Sequence, residues 1–169
     1  MQESLPELQP FDRAMVVVAH PDDGEFMAGG TVAKWTAEGK FVAYVICTNG
    51  NKGSEDPSMT PDRLAMIREE EQRGACAALG VHDVMFLGYG DGTLYNSLEL
   101  RRDIAREIRR FKPEVIICQD PIRHITGRFL NHPDHRNAGD ATLDAVFPSA
   151  RDYHAFPDLI EEGFMPHKT

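Results

Sequence analysis

Four short apolar runs limit what this chain can fold into. Ala14-Met15-Val16-Val17-Val18-Ala19 is unbroken and β-branched, Phe41 to Cys47 repeats the pattern, and Val84 to Leu87 and Val115 to Cys118 are shorter versions. A strand with one wet face alternates apolar and polar residues, so runs without alternation suit strands covered on both faces, as in a parallel sheet. Parallel neighbours need crossovers, and the segments between the runs carry helical signals. Thr31 to Glu38 follows Gly29-Gly30, a pair read as close helix–strand packing rather than as a phosphate cradle. Thr60-Pro61 supplies a cap and first turn for a longer helix, in which Leu64, Ile67, Ala75, Ala78 and Leu79 share one face and Gly80 is placed to stop it. A third helix is expected from Asn96 or Ser97, with Glu99 favouring a capping box from Asn96, to Phe111 before Lys112-Pro113. A fourth should begin near Asp134 and carry Ala138, Ala141, Leu143 and Val146. Strand and helix alternating in this way predict a single α/β, Rossmann-like domain over residues 1–169, with a mostly parallel sheet flanked by helices. Asn49 to Thr60 is the longest loop and the expected rim or lid of a site.

The chain has 169 residues, enough for one sizeable core. Its net charge of −9, from 27 acidic against 18 basic residues without a basic run, argues against nucleic acid as a partner. Met1 to Arg13 lacks the basic start and apolar run of a signal peptide, and no later stretch is long enough to span a bilayer, so the expectation is a soluble, cytoplasmic protein without a membrane partner. Cys47, Cys76 and Cys118 are an odd number without close pairing; buried free thiols are expected, not disulfides.

Two histidine–aspartate clusters carry the chemistry. His20-Pro21-Asp22-Asp23 follows the first predicted strand, and His132-Pro133-Asp134-His135 follows the fourth after the loop Gln119 to Asn131. Open parallel sheets bind ligands beyond the carboxyl ends of their strands, where strand order reverses, and strands one and four are neighbours there in the common doubly wound order. A catalytic zinc typically takes three protein nitrogen or oxygen ligands and keeps one position open. Three histidines and three aspartates supply that set with a carboxylate base and an imidazole to spare. Either cluster alone reads as a surface loop or a helix cap; together, at corresponding strand ends, they predict a metal site.

The residues also resemble a known family. Val18-Ala19-His20-Pro21-Asp22-Asp23 with Glu25 and Gly29-Gly30-Thr31 is similar to the signature of the LmbE-like or PIG-L family of N-acetylglucosaminyl deacetylases. So are Thr48-Asn49-Gly50, Arg68 and Glu71 ahead of Ala77-Ala78-Leu79-Gly80, Phe86-Leu87-Gly88-Tyr89 with Asp91-Gly92, and His132-Pro133-Asp134-His135-Arg136, in order from about Met15 to Val146. The resemblance implies His20, Asp23 and His135 as ligands of one divalent ion, normally Zn2+, and Asp22 as the general base on its water. It implies His132 as oxyanion support and Asp134 as the carboxylate that orients His132. Arg68, Asp91 and Asn131 are candidate substrate contacts, with an Arg68–Glu71 helical ion pair and simple turn chemistry at Asp91 as the plain alternatives.

The implied activity is zinc-dependent removal of acetyl from an N-acetylglucosamine-type amide, the partner a small N-acetylated sugar conjugate. A hydrolase of another amide or ester, or a non-catalytic sugar-binding or assembly subunit, are the alternatives. Relatives usually continue beyond the equivalent of Thr169, so the domain is expected to be cut short at that end, and a homo-oligomer, trimer or hexamer, is expected. Asp120 is expected to support the site from behind, Arg136 to pair with an acid, Trp35 to belong to core or interface, and His82, His154 and His167 to be ordinary surface histidines.

Overall fold

The computed structural model describes residues 9–169. β1 (Arg13–Val18), β2 (Phe41–Thr48), β3 (Asp83–Tyr89) and β4 (Val115–Cys118) form one parallel sheet in the order β3-β2-β1-β4. Chain order therefore reverses between β1 and β4. The helices are α1 (Asp23–Ala37), α2 (Pro61–Ala78), α3 (Leu98–Phe111), α4 (Pro133–Asp144) and the short α5 (Pro157–Glu161), with a kinked helical turn at Ala145–Ser149 between the last two. A small antiparallel hairpin, β5 (Ile125–Thr126) with β6 (Phe129–Leu130), occupies the stretch expected as loop before α4, although the two-residue link Gly127-Arg128 between these short runs is a hairpin signal.

The pleat sorts the apolar runs onto two faces. Met15, Val17, Ala43 and Val45 pack with α3 residues Leu100, Ile104 and Ile108 and α4 residues Ala138 and Ala141. Ala14, Val16, Val18, Tyr44 and Ile46 pack with Ala28 and Val32 of α1 and Cys76 of α2. Each fully buried Val or Ile contributes roughly 1.5–3 kcal/mol relative to exposure. Both faces being covered explains why the runs do not alternate. Arg109, on α3 and 1 % exposed, spends its guanidinium on the carbonyls of Ser149, Ala150, Asp152 and Ala155 and so ties the segment after α4 to the core. Cys47, Cys76 and Cys118 are free thiols.

Several boundaries move. α1 begins at Asp23, not Thr31: its first turn holds Asp23 and Glu25, acids that favour a helix N-terminus, and Gly29-Gly30 lies inside it. Among the described residues a Cβ at Gly30 would meet nothing within 4 Å, and one at Gly29 only Glu25 at 3.9 Å, so close packing does not account for that pair. The close approach belongs to Gly24, where a Cβ would press on the Tyr44 ring. In α2 the Thr60 hydroxyl caps the Arg63 N–H as expected, but Ala78 is exposed and the buried positions are Leu64, Gln72 and Cys76. Ser97, not Asn96, caps α3, accepting from the Leu100 N–H; the Asn96 amide instead bridges to Asp140 and Asp144.

Candidate metal centre

β1 ends at Val18 and delivers His20 to the carboxyl edge of the sheet, where Pro21-Asp22-Asp23 turns the chain into α1. Asp22 adopts φ 86°, ψ −25°, a left-handed conformation that costs an L-residue roughly 1–2 kcal/mol, least for Asn and Asp. Two α2 side chains hold this turn. Arg68 donates to the Pro21 carbonyl at 2.7 Å, to Asp22 Oδ2 at 2.9 Å and to the Gly50 carbonyl at 3.3 Å; Gln72 Oε1 accepts the Asp22 N–H at 2.6 Å.

The second cluster opens α4. His132 is the N-cap and Pro133 the first residue, a position where the missing N–H of proline costs nothing. His132 Nδ1 accepts the Asp134 N–H at 3.2 Å. The Asp134 carboxylate is fully buried and accepts the N–H groups of Gly92 at 2.7 Å and Leu94 at 3.2 Å, which fastens the turn after β3 to α4.

Because β1 and β4 are neighbours, the clusters meet. His135 Nε2 lies 3.1 Å from Asp23 Oδ1, and His20 Nδ1 lies 3.2 Å from Asp23 Oδ2. His20 Nε2 lies 3.2 Å from both Asp91 Oδ1 and Asp134 Oδ2. The rings of His20, His132 and His135 stand 4.9–5.5 Å apart, centroid to centroid. Ligand atoms of His20, Asp23 and His135 lie within 4.8 Å of one another, as do those of a second trio, His20, Asp91 and His132. Burial would raise the Asp23 pKa, but hydrogen bonds from His135 and His20 hold it well below the usual carboxylate range. Burial would lower His20, yet Asp23, Asp91 and Asp134 hold it above its ordinary value. Burial pushes Asp22 up against the opposing pull of Arg68, and burial with the neighbouring His20 pushes His132 down. An ionised carboxylate between two imidazoles, among further acids, is a donor set that fits a divalent cation of the zinc type.

The expected site residues fall unevenly. Arg68 does not pair with Glu71; it grips the Asp22 turn and lines a cleft of about 320 Å³ with His20, Asp22, Lys52, Gly53, Asp91, Gly92 and His132. Asp91 is buried in that cleft, accepts the Lys52 N–H at 3.1 Å and faces His20. Asn131 lines a separate cavity beside Asp23 and His135, but its amide is spent on the His124 N–H and the Ile122 carbonyl. The Asp134 carboxylate faces His20, and the contact of Asp134 with His132 is through its backbone N–H. Asp120 turns outward to His124 and the Ile122 N–H, and the support expected of it comes from Gln119, whose Nε2 donates to Asp23 Oδ2 at 3.0 Å and whose Oε1 accepts the Ala19 N–H at 2.9 Å. Among the described residues Arg136 pairs with no acid, and it donates to the Asn131 carbonyl. Trp35 packs edge-on against Phe11, and His167 is tied to the Pro113 carbonyl instead of standing free. Neither Gln72 nor Gln119 stands out in the sequence, because a lone glutamine in a helix or after a strand carries no local signal.

The model of the family described as GlcNAc-PI de-N-acetylase, PIG-L, matches residues 15–146. A diacetylchitobiose deacetylase of Thermococcus kodakarensis is 33% identical over 162 residues, covering 94% of this chain and 59% of that protein. A 1D-myo-inositol 2-acetamido-2-deoxy-alpha-D-glucopyranoside deacetylase of Thermomonospora curvata is 36% identical over 159 residues, covering 79% of this chain and 52% of that protein. Among solved structures, the N,N'-diacetylchitobiose deacetylase of Pyrococcus horikoshii superposes with a TM-score of 0.87 at 30% identity, covering 94% of this chain and 58% of that one. The chain thus spans between half and three fifths of the length of these relatives. Among the described residues no helix is long and apolar enough to cross a membrane.

Proposed function

The chain belongs to the GlcNAc-PI de-N-acetylase (PIG-L) family, and from that premise we propose that it is a metal-dependent hydrolase that removes acetyl from an N-acetylglucosamine-type amide. The observation that carries the reading is the single carboxylate of Asp23 shared between His20 and His135, with the adjacent Asp22 lining the cleft that also holds His20 and His132. His20, Asp23 and His135 would hold the ion, zinc by their chemistry. This trio is preferred to His20, Asp91 and His132 because its carboxylate reaches both imidazoles directly. When bound, the cation supplies Lewis-acid activation of the water and of the amide carbonyl.

The rest falls to the chain's own groups. Asp22, its basicity raised by burial, takes the proton of the attacking water at its carboxylate, that proton passes to the amine nitrogen as the C–N bond breaks, and Arg68 keeps the carboxylate oriented. His132 acts as a neutral donor: its Nδ1 accepts the Asp134 N–H, so the proton resides on Nε2, available to the oxyanion. Asp134 braces His20 and the Gly92 turn. Lys52, Arg68 and Asp91 line the cleft in which the sugar portion would sit.

Acetate release from N-acetylglucosamine conjugates, measured with zinc present, tests the reading. Wild type is expected to release acetate and free amine, and Asp22→Asn to bind zinc as wild type does while losing about 10²-fold to 10⁴-fold in turnover. Phosphate release in place of acetate, sugar binding without turnover, or full activity in Asp22→Asn would each overturn it.

A further inference from the structure

Gln72 lies one helical turn after Arg68 on α2 and is 2 % exposed. Its Oε1 accepts the Asp22 N–H at 2.6 Å, and its Nε2 donates to Glu25 Oε1 at 2.8 Å and to Cys76 Sγ at 3.2 Å. Glu25 thereby fixes which end of the amide faces Asp22, because an ionised carboxylate only accepts. Asp22 is the residue held at φ 86°, and its own side chain makes no cap hydrogen bond to the start of α1. A non-glycine residue stays in such a conformation only where its surroundings hold it. Arg68 holds the Pro21 carbonyl and the Asp22 carboxylate, but a guanidinium has no acceptor to offer the Asp22 N–H. The Gln72 carbonyl is that acceptor.

We infer that Gln72 is a positioning residue for Asp22: its carbonyl keeps the Asp22 backbone in the left-handed conformation that turns the carboxylate into the cleft shared with His20 and His132. The inference rests on the reading of Asp22 as the general base. It extends that reading to a residue outside both histidine–aspartate clusters.

Two variants of the full chain test it. Gln72→Leu keeps most of the volume and removes both hydrogen bonds; the pair Gln72→Glu with Glu25→Gln reverses the polarity of the contact and returns an acceptor to the Asp22 N–H. In Gln72→Leu, kcat is expected to fall about 10-fold to 100-fold while KM and zinc affinity hold near wild type, since a small misplacement of a reacting group costs turnover first. The pair is expected to recover most of the loss. Amide hydrogen exchange reads the same bond without turnover: the Asp22 N–H should be protected in wild type and in the pair, and exposed to exchange in Gln72→Leu. Wild-type kcat in Gln72→Leu, a parallel loss of zinc affinity and KM, no recovery in the pair, or equal Asp22 exchange in all three would overturn the inference. Asp22→Asn run alongside separates the two failures. Full activity there sinks the base itself, whereas an inactive Asp22→Asn beside a fully active Gln72→Leu sinks only the positioning role.

Discussion

Gln119 Nε2 donates to Asp23 Oδ2 at 3.0 Å while Gln119 Oε1 accepts the Ala19 N–H at 2.9 Å, so one side chain at the end of β4 fixes both the end of β1 and the carboxylate that two imidazoles share. Partners that orient a ligating carboxylate typically govern metal affinity by about 10-fold to 100-fold. Gln119→Met should weaken zinc binding by that order in a chelator competition. Unchanged affinity would mean that Asp23 is held by the histidines alone.

Gly139 lies one turn beyond His135 on α4, and a Cβ there would overlap the Gln119 carbonyl oxygen. Backbone cannot yield as a flexible side chain can, so Gly139→Ala must push α4 away from β4, at roughly 1–3 kcal/mol for overpacking. Lower thermal stability together with weaker zinc binding is expected, because His135 travels with the helix. A variant melting with wild type would show that α4 and β4 can separate freely.

Arg109→Met removes a buried guanidinium and leaves the carbonyls of Ser149, Ala150, Asp152 and Ala155 without that donor. An unpaired buried polar group costs about 1–3 kcal/mol. With about 2–4 °C of melting temperature per kcal/mol for a chain of this size, a drop of several degrees should appear in a thermal melt. Limited proteolysis should cut first between residues 149 and 156. Cleavage elsewhere would assign the anchoring of that segment to other contacts.

Glu114 accepts the N–H groups of Asp12 and Arg13, and those bonds hold its pKa below the ordinary 4.5. A depressed carboxylate lends its stabilisation in full above its unfolded value and loses it as pH falls through the folded one. Wild type should therefore lose more stability than Glu114→Gln as pH drops from about 4.5 downward, and the two should run parallel above that point. Melts compared at several pH values check the sign; parallel curves throughout would remove Glu114 from acid sensitivity.

The four strands and the meeting of the clusters were legible because their signals are local. An unbroken apolar run reports a strand covered on both faces, and alternating elements predict a parallel sheet whose common doubly wound order sets strands one and four side by side. The two histidine–aspartate clusters could therefore be assigned to one edge from sequence, and the family resemblance singled out His20, Asp23 and His135 within them. Helix starts were less legible. Gly29-Gly30 reads as a break, yet α1 runs through it, because the acids of its first turn and the burial of Ala28 and Val32 outweigh glycine's poor propensity. What only the tertiary structure decided are contacts between residues distant in the chain: Gln72 on the Asp22 N–H, Gln119 on Asp23, and the Asp134 carboxylate on His20 instead of His132. Periodicity describes a residue's neighbours along one element. Which amide reaches which carboxylate depends on how α2, β4 and α4 close on the end of β1, and that packing leaves no mark on any single stretch of sequence.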